Sequence, residues 1–338
     1  MKQTMKSYPA TVCCLSALFA IAVSSAPAAD TKKAWTDPAV ARQEDPDFSI
    51  QGEYGSAQPG AASGVQVVAL GDGKFDAYVL QGGLPGLGWE RGKERVVLNG
   101  SRSDKGVALA SADGKVSAVI RDGKLDLTRQ GEKVLTLPRI ERTSPTMGAK
   151  PPAGAVVLFD GSSADQWENG KMENGLLAAN NCRSKPKFKS HAIHLEFLSP
   201  YMPYARGQGR GNSGIYYGGR WETQVLDSFG LAGAQNECGG IYSISEPRLN
   251  MCLPPLAWQT YDVEFTAAKF AADGQPTAWP RITVKHNGVL IHENLELPKS
   301  HTTAAPIGTP LKDEEGPVFI QFHGNPVFFR NIWVVPVK

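Results

Sequence analysis

The chain has 338 residues, of which 41% are hydrophobic and 20% charged, with a formal net charge of +2. That balance supports a buried core and argues against a strongly basic nucleic-acid binder or a charged membrane-surface protein. Glycine (36) and proline (24) are plentiful while long helical patterns are few, so the composition predicts an all-β protein of short strands and turns.

Residues 1–29 are expected to be a cleaved secretory signal peptide. Lys2 and Lys6 precede an apolar run from Val12 to Val23, and Ala26-Pro27-Ala28 offers a small-x-small cleavage site. The run is short for a membrane span, and no later segment is long and apolar enough to make one. Cys13 and Cys14 lie early in that run, so lipoprotein processing is not expected. Losing two lysines with the leader brings 35 basic residues level with 33 acidic ones. Three cysteines remain: Cys182, Cys238 and Cys252. In an oxidising compartment Cys238 and Cys252 are expected to form a disulfide, with Cys182 free or buried. No CxxC spacing points to a metal site.

Residues 30 to about 64 read as a loosely structured approach to the first domain. Residues 65–141 carry the runs VQVVAL, FDAYVL, ERVVL, GVALA, KVSAVI, KLDLT and KVLTL. Turn signals separate many of them: Gly71-Asp72-Gly73, Asn99-Gly100, Asp113-Gly114 and Asp122-Gly123. Hairpins in a small sandwich or barrel are expected, and with no histidine or cysteine an accessory role. The domain is bounded at 30–143. Residues 144–154 carry three prolines and little hydrophobic pattern, and read as a linker.

From Ala155 to the end, runs such as AIHLEFL, SGIYY, WETQVL, TYDVEFTA, RITVKHNG and VFFRNIWVV predict a second domain, a two-sheet jelly-roll sandwich. A literal GxGxxG spans Gly209–Gly214, but a strand rather than a helix follows, which removes the dinucleotide-site context. In WETQVL, Glu222, Gln224 and Leu226 share one face and Trp221, Thr223 and Val225 the other. With Asp227 they offer acid, base or metal ligands, or simply a solvated sheet face with a turn cap. His323 precedes a Gly-Asn-Pro turn and is suited to general-base chemistry. Arg330, on an apolar face, is expected to have a buried carboxylate partner, Glu222 being one candidate. Glu237 serves either the site or the fold. Lys285 and His286 are expected to be solvated, and His194 and Glu196 exposed. Trp221, Trp258, Tyr216, Tyr217 and Tyr261 fit either core packing or stacking on sugar rings.

LFDG (Leu158–Gly161), GNSGIYY (Gly211–Tyr217), WETQVLD (Trp221–Asp227), WQTYDVEF (Trp258–Phe265), KHNGVLIH (Lys285–His292) and HGNPVFFRNIWV (His323–Val334) occur in that order. Together they resemble the 3-keto-disaccharide hydrolase domain family, over about residues 153–338. The resemblance implies a concanavalin A-like jelly roll, a secreted protein and cleavage of a glycosidic bond in a sugar oxidised at C3. A C3 ketone acidifies the C2 proton, so a base removes it and the C1 group departs, by net hydrolysis or as a lyase. On the matching positions the resemblance implies Glu222 or His323 as base. Arg210, Asn212, Gln224, Asp227 and Arg330 become substrate contacts, and Asp227 a possible ligand for a divalent cation. The expected partner is a carbohydrate, with no nucleic acid. The alternative is a jelly roll that binds glycans without cleaving them.

Overall fold

A computed structural model describes residues 33–337. The expected leader, with Cys13 and Cys14, lies outside the described residues. Two Asp-Pro pairs start the order. Asp37 and Asp45 cap α1 (Pro38–Glu44) and α2 (Pro46–Ile50), their carboxylates accepting from Ala39 N at 2.7 Å and Asp47 N at 2.9 Å. A proline at the first helical position sacrifices no hydrogen bond there. Residues 33–64 are therefore not loose: Trp35, Phe48 and Tyr54 are buried, and the Phe48 ring lies 5.0 Å from that of Tyr201.

Eight antiparallel strands follow in chain order: β1 (Gly52–Tyr54), β2 (Ser63–Gly71), β3 (Lys74–Gln81), β4 (Arg95–Ser103), β5 (Gly106–Ala110), β6 (Val116–Arg121), β7 (Lys124–Arg129) and β8 (Glu132–Ile140). β1 pairs with β8, which closes the sheet into a barrel and removes both free edges. Val65, Val67, Ala69, Phe75, Ala77 and Val79 fill its interior. The outer face of β2 and β3 is also buried, because Val68, Tyr78 and Leu80 join the core of the neighbouring sandwich. This explains why VQVVAL and FDAYVL are nearly continuous apolar runs, whereas on β5, with one face exposed, burial alternates. Asn99-Gly100 is not a turn. β4 runs through it, and a Cβ at Gly100 would collide with the Ala108 carbonyl on β5.

The remaining strands are β9 (Val156–Phe159), β10 (Trp167–Glu168), β11 (Lys171–Glu173), β12 (Leu176–Ala178), β13 (Cys182–Phe188), β14 (His191–Leu198), β15 (Ser213–Tyr217), β16 (Trp221–Val225), β17 (Trp258–Thr266), β18 (Lys269–Phe270), β19 (Pro276–Ala278), β20 (Arg281–His286), β21 (Val289–Glu296), β22 (Gly316–Ile320) and β23 (Phe328–Pro336). One sheet has the order β10-β13-β22-β15-β16. The other runs β11-β12-β23-β14-β17-β20-β21, with β9 beside β23, and β18 and β19 form a small hairpin. Leu195, Phe197, Tyr261 and Val263 of the larger sheet pack in one cluster with Ile215, Tyr217, Trp221 and Val225 of the smaller. The all-β reading and the two-sheet sandwich are thus realised.

Residues 144–149 are pinned along the larger sheet. Ser144 Oγ meets Thr260 Oγ1 at 2.6 Å, Thr146 donates to Asp262, and Gly148 N donates to Glu196 Oε1 at 2.6 Å. Beneath them, His194 and Glu196 are each 1% exposed, not solvated as expected. His194 Nδ1 lies 2.6 Å from Asp262, and Arg330 Nε donates to Glu196 at 2.6 Å. Burial disfavours charge on both groups, yet the hydrogen bonds outweigh it. His194, held by Asp262 and Glu196, is raised, and Glu196, held by His194, Asn331, Arg330 and Gly148, falls to about 2. A depressed carboxyl stabilises the fold above its unfolded value and loses that contribution as pH falls through the folded one. Stability should therefore drop between pH 4.5 and about 2, and Glu196→Gln should flatten that drop in urea titrations.

Candidate active site

The site grows from the β15–β16 hairpin. Antiparallel register sets Tyr216 opposite Glu222 and Gly214 opposite Gln224. Cross-strand neighbours on one face are close enough for their side chains to interact. The Tyr216 hydroxyl donates to Glu222 Oε2 at 2.7 Å, and Gln321, just past β22, donates its amide to the Tyr216 oxygen at 3.1 Å. Gly214 leaves the space that Glu222 occupies: a Cβ there would lie 2.8 Å from Glu222 Cδ and collide with Oε1.

Loops cover the rest of this face, so Glu222 is 2% exposed. Glu222 N donates to Thr302 Oγ1 at 3.1 Å, and Tyr242 N donates to the Glu222 carbonyl at 3.2 Å. Burial is the larger influence on the carboxyl and pushes it up from 4.5 to about 8, against the smaller opposing pull of the Tyr216 hydroxyl. At neutral pH Glu222 is therefore mostly a neutral acid.

A cavity of about 50 Å³ brings together Glu222, Gln224, Asn212 and His323 with Tyr242 and Gln321. That volume suits roughly three or four waters, or one polar edge of a sugar ring. Gln208 organises one wall, accepting from the amides of Gln224 (3.0 Å) and Asn212 (3.1 Å). Asn212 Oδ1 and Gln224 Oε1 are buried acceptors with no protein partner. Acceptors of this kind are costly to leave unpaired, and a hydroxyl-bearing ligand satisfies them. His323 is exposed, as is its neighbour Phe322, at 44%.

The structure assembles four of the expected site residues and separates three. Arg210 and Asp227 do not line the cavity. Arg210 Nε donates to Asp227 Oδ2 at 2.6 Å, both residues are buried, and Asp227 Oδ1 caps Phe229 N. The Asp227 carboxylate, expected as a cation ligand, is thus taken by a guanidinium. Among the described residues no three His, Cys, Asp or Glu side chains converge as a metal site. Arg330 belongs to the other sheet, with Glu196 and not Glu222 as its carboxylate, and its guanidinium lies 3.9 Å over the Trp258 ring.

Four other residues take structural places. Cys238 and Cys252 are free buried thiols, not a disulfide. The two thiols interact with each other, and Cys238 Sγ also contacts the Tyr261 hydroxyl at 3.3 Å while Cys252 Sγ reaches the Leu226 and Leu253 carbonyls. Glu237 accepts from Gly233 N and Ala234 N and so closes a loop. Lys285 is exposed but His286 is fully buried, because alternation along β20 turns it inward with Ile282 and Val284. Burial lowers the His286 imidazole to about 3. Gln208, Tyr242, Thr303 and Gln321 were not expected at the site. Gln321 was findable, lying two residues before His323 after an apolar strand. Tyr242 and Thr303 arrive on irregular loops that carry no such signal.

The sequence profile of the 3-keto-alpha-glucoside-1,2-lyase-like domain matches residues 154–335. The chain belongs to that family. No curated protein matches. A candidate glycosyl hydrolase from Parabacteroides distasonis ATCC 8503, solved at 2.13 Å, is 32% identical with a TM-score of 0.50, over 55% of this chain and 85% of that one. A second from the same organism, solved at 1.70 Å, is 16% identical with a TM-score of 0.40, over 55% of this chain and 94% of that one. The barrel and helices before residue 154 lie outside the family match.

Removing one partner of a buried ion pair leaves an uncompensated charge, which costs about 3–5 kcal/mol. Asp227→Ala should lose about that much in urea denaturation, and added divalent cation should not restore it. Gly214→Ala should cost about 1–3 kcal/mol by overpacking against Glu222, read in the same assay.

Proposed function

We propose that the chain is a secreted or periplasmic enzyme that cleaves the glycosidic bond of 3-keto-glycosides. One observation carries this reading: a carboxyl group buried until it holds its proton at neutral pH, in a polar cavity with an exposed histidine. Family membership supports a glycoside-cleaving activity. Two titratable groups in contrasting environments divide naturally into acid and base.

In this reading the C3 ketone edge of the sugar enters the cavity, and its hydroxyls satisfy Asn212 Oδ1 and Gln224 Oε1. His323 takes the acidified C2 proton, and the electron pair moves to form an enolate at C2–C3. The enolate collapses to restore the ketone and form the C1–C2 double bond, expelling the C1 oxygen. Glu222 gives that oxygen its proton, and Tyr216 and Gln321 hold the carboxyl in place. Water adding across C1–C2 completes hydrolysis, and release without addition is the lyase outcome. The cavity is small, so the leaving half of the substrate rests outside it, beside Phe322.

General acid–base participation is worth about 10²–10⁴-fold in rate. Glu222→Gln and His323→Ala should each lose cleavage of a 3-keto-glycoside on about that scale, by mass spectrometry of products, while the parent glycoside stays intact. Wild-type activity should fall as pH rises through about 8, where Glu222 loses its proton. The stability sign is opposite to that of Glu196. A carboxyl raised in the folded state stabilises fully below 4.5 and loses that contribution as pH rises through about 8. Glu222→Gln should therefore be more stable than wild type above pH 8 while being inactive. Saturable glycan binding with no cleavage of any keto sugar would instead identify a binding module.

A further inference from the structure

A second cavity, of about 500 Å³, opens where the barrel meets the larger sheet, and it shares no residue with the Glu222 pocket. Its size is that of an ordinary small-ligand site. Its walls come from α1, α2, β1, β8, residues 254–258 and β23.

The charge in this cavity is one-sided. Arg42, Arg139, Arg142 and Arg330 face only Glu53 and Glu141. Arg142 is used up, with both Glu53 oxygens at 2.6 Å and the Pro85 carbonyl. Arg139 is held by Glu141 and the Gln51 carbonyl. Arg42 has no ion-pair partner among the described residues, and Arg330 uses Nε on Glu196 and Nη2 on the Met147 sulfur, leaving Nη1. An arginine lining a cavity with donors to spare is suited to a carboxylate or phosphate.

The same wall as Arg330 supplies an aromatic. The Trp258 ring stacks under Arg330, and its indole nitrogen makes no hydrogen bond to a described residue. Two residues earlier, Leu256 has φ +64°, a conformation that a leucine rarely adopts. Its N–H is fixed on the Ser199 carbonyl at 2.9 Å. Fixed strain beside a cavity fits a wall shaped to receive something.

We propose that this cavity binds an anionic saccharide. Arg42 and the spare donor of Arg330 take its carboxylate or phosphate, and the Trp258 indole N–H donates to a ring hydroxyl. The site goes beyond the cleavage chemistry and does not depend on it.

The test is calorimetric titration of the full mature protein with galacturonate, glucose 6-phosphate, galactose and inorganic phosphate. At least one anionic sugar should bind saturably, about tenfold or more tighter than galactose. Which of the two binds better identifies the carboxylate or the phosphate as the recognised group. Affinity should fall with added salt. Arg42→Ala, on an exposed helical position, should weaken binding about tenfold without disturbing the fold, and Glu222→Gln should leave it unchanged. No saturable binding by either anionic sugar would overturn the proposal. So would galactose or inorganic phosphate binding as tightly, or loss of binding in Glu222→Gln.

Discussion

Burying one carboxyl group on the face of a five-stranded sheet constrains everything around it. A carboxylate removed from water without a cation is costly, and no cation pairs with Glu222 among the described residues. It gives a tyrosine hydroxyl, a steric gap at Gly214 and a cover of loops. The group answers by keeping its proton near neutral pH, the state that the proposed acid role requires. The hairpin register that opposes Tyr216 and Glu222 is what makes this possible. A slip of one residue would send Glu222 to the opposite face, toward Trp221 and Val225 in the core.

Three other buried carboxylates follow the opposite rule. Arg210–Asp227, Arg142–Glu53 and Arg330–Glu196 are each closed by a bond of 2.6 Å, and each joins separate parts of the chain. Arg210–Asp227 ties the glycine-rich segment to the end of β16. Arg142–Glu53 anchors the exit of the barrel to its first strand, and Arg330–Glu196 sits below residues 144–149. These paired carboxylates hold the scaffold, whereas Glu222 faces a polar cavity with no cation beside it among the described residues. Asp45 also lacks a cation and accepts from the Tyr201 hydroxyl, but it lines neither cavity, so position beside a polar pocket is what sets Glu222 apart.

The sequence disclosed most of the strands, because period-2 alternation and Gly-Asp turns are local signals. All seven runs expected before residue 141 are barrel strands, and WETQVL puts Glu222 and Gln224 together on the pocket face. What was hidden depends on contacts between distant residues. Arg330 sees Glu196 across 134 positions, which no spacing rule encodes. His194 and Glu196 look solvated by alternation, but residues 144–149 cover them, and a proline-rich segment gives no hint of where it lies. The sequence did bring the right two cysteines together: Cys238 and Cys252 are free thiols that lie against each other in the core. One miss was avoidable: the Asp37-Pro38 and Asp45-Pro46 pairs announce helix starts, though helices of seven and five residues are too short to show a period.

The central claim is a protonation state, and it can be observed directly. Carbon-13 NMR of glutamate-labelled protein, with Glu222→Gln to assign the resonance, would follow the Glu222 carboxyl across pH. A midpoint near 8 is the predicted result. A midpoint in the ordinary glutamate range, about 4.3, would contradict it, because Glu222 would then be ionised at neutral pH and unable to supply the leaving-group proton.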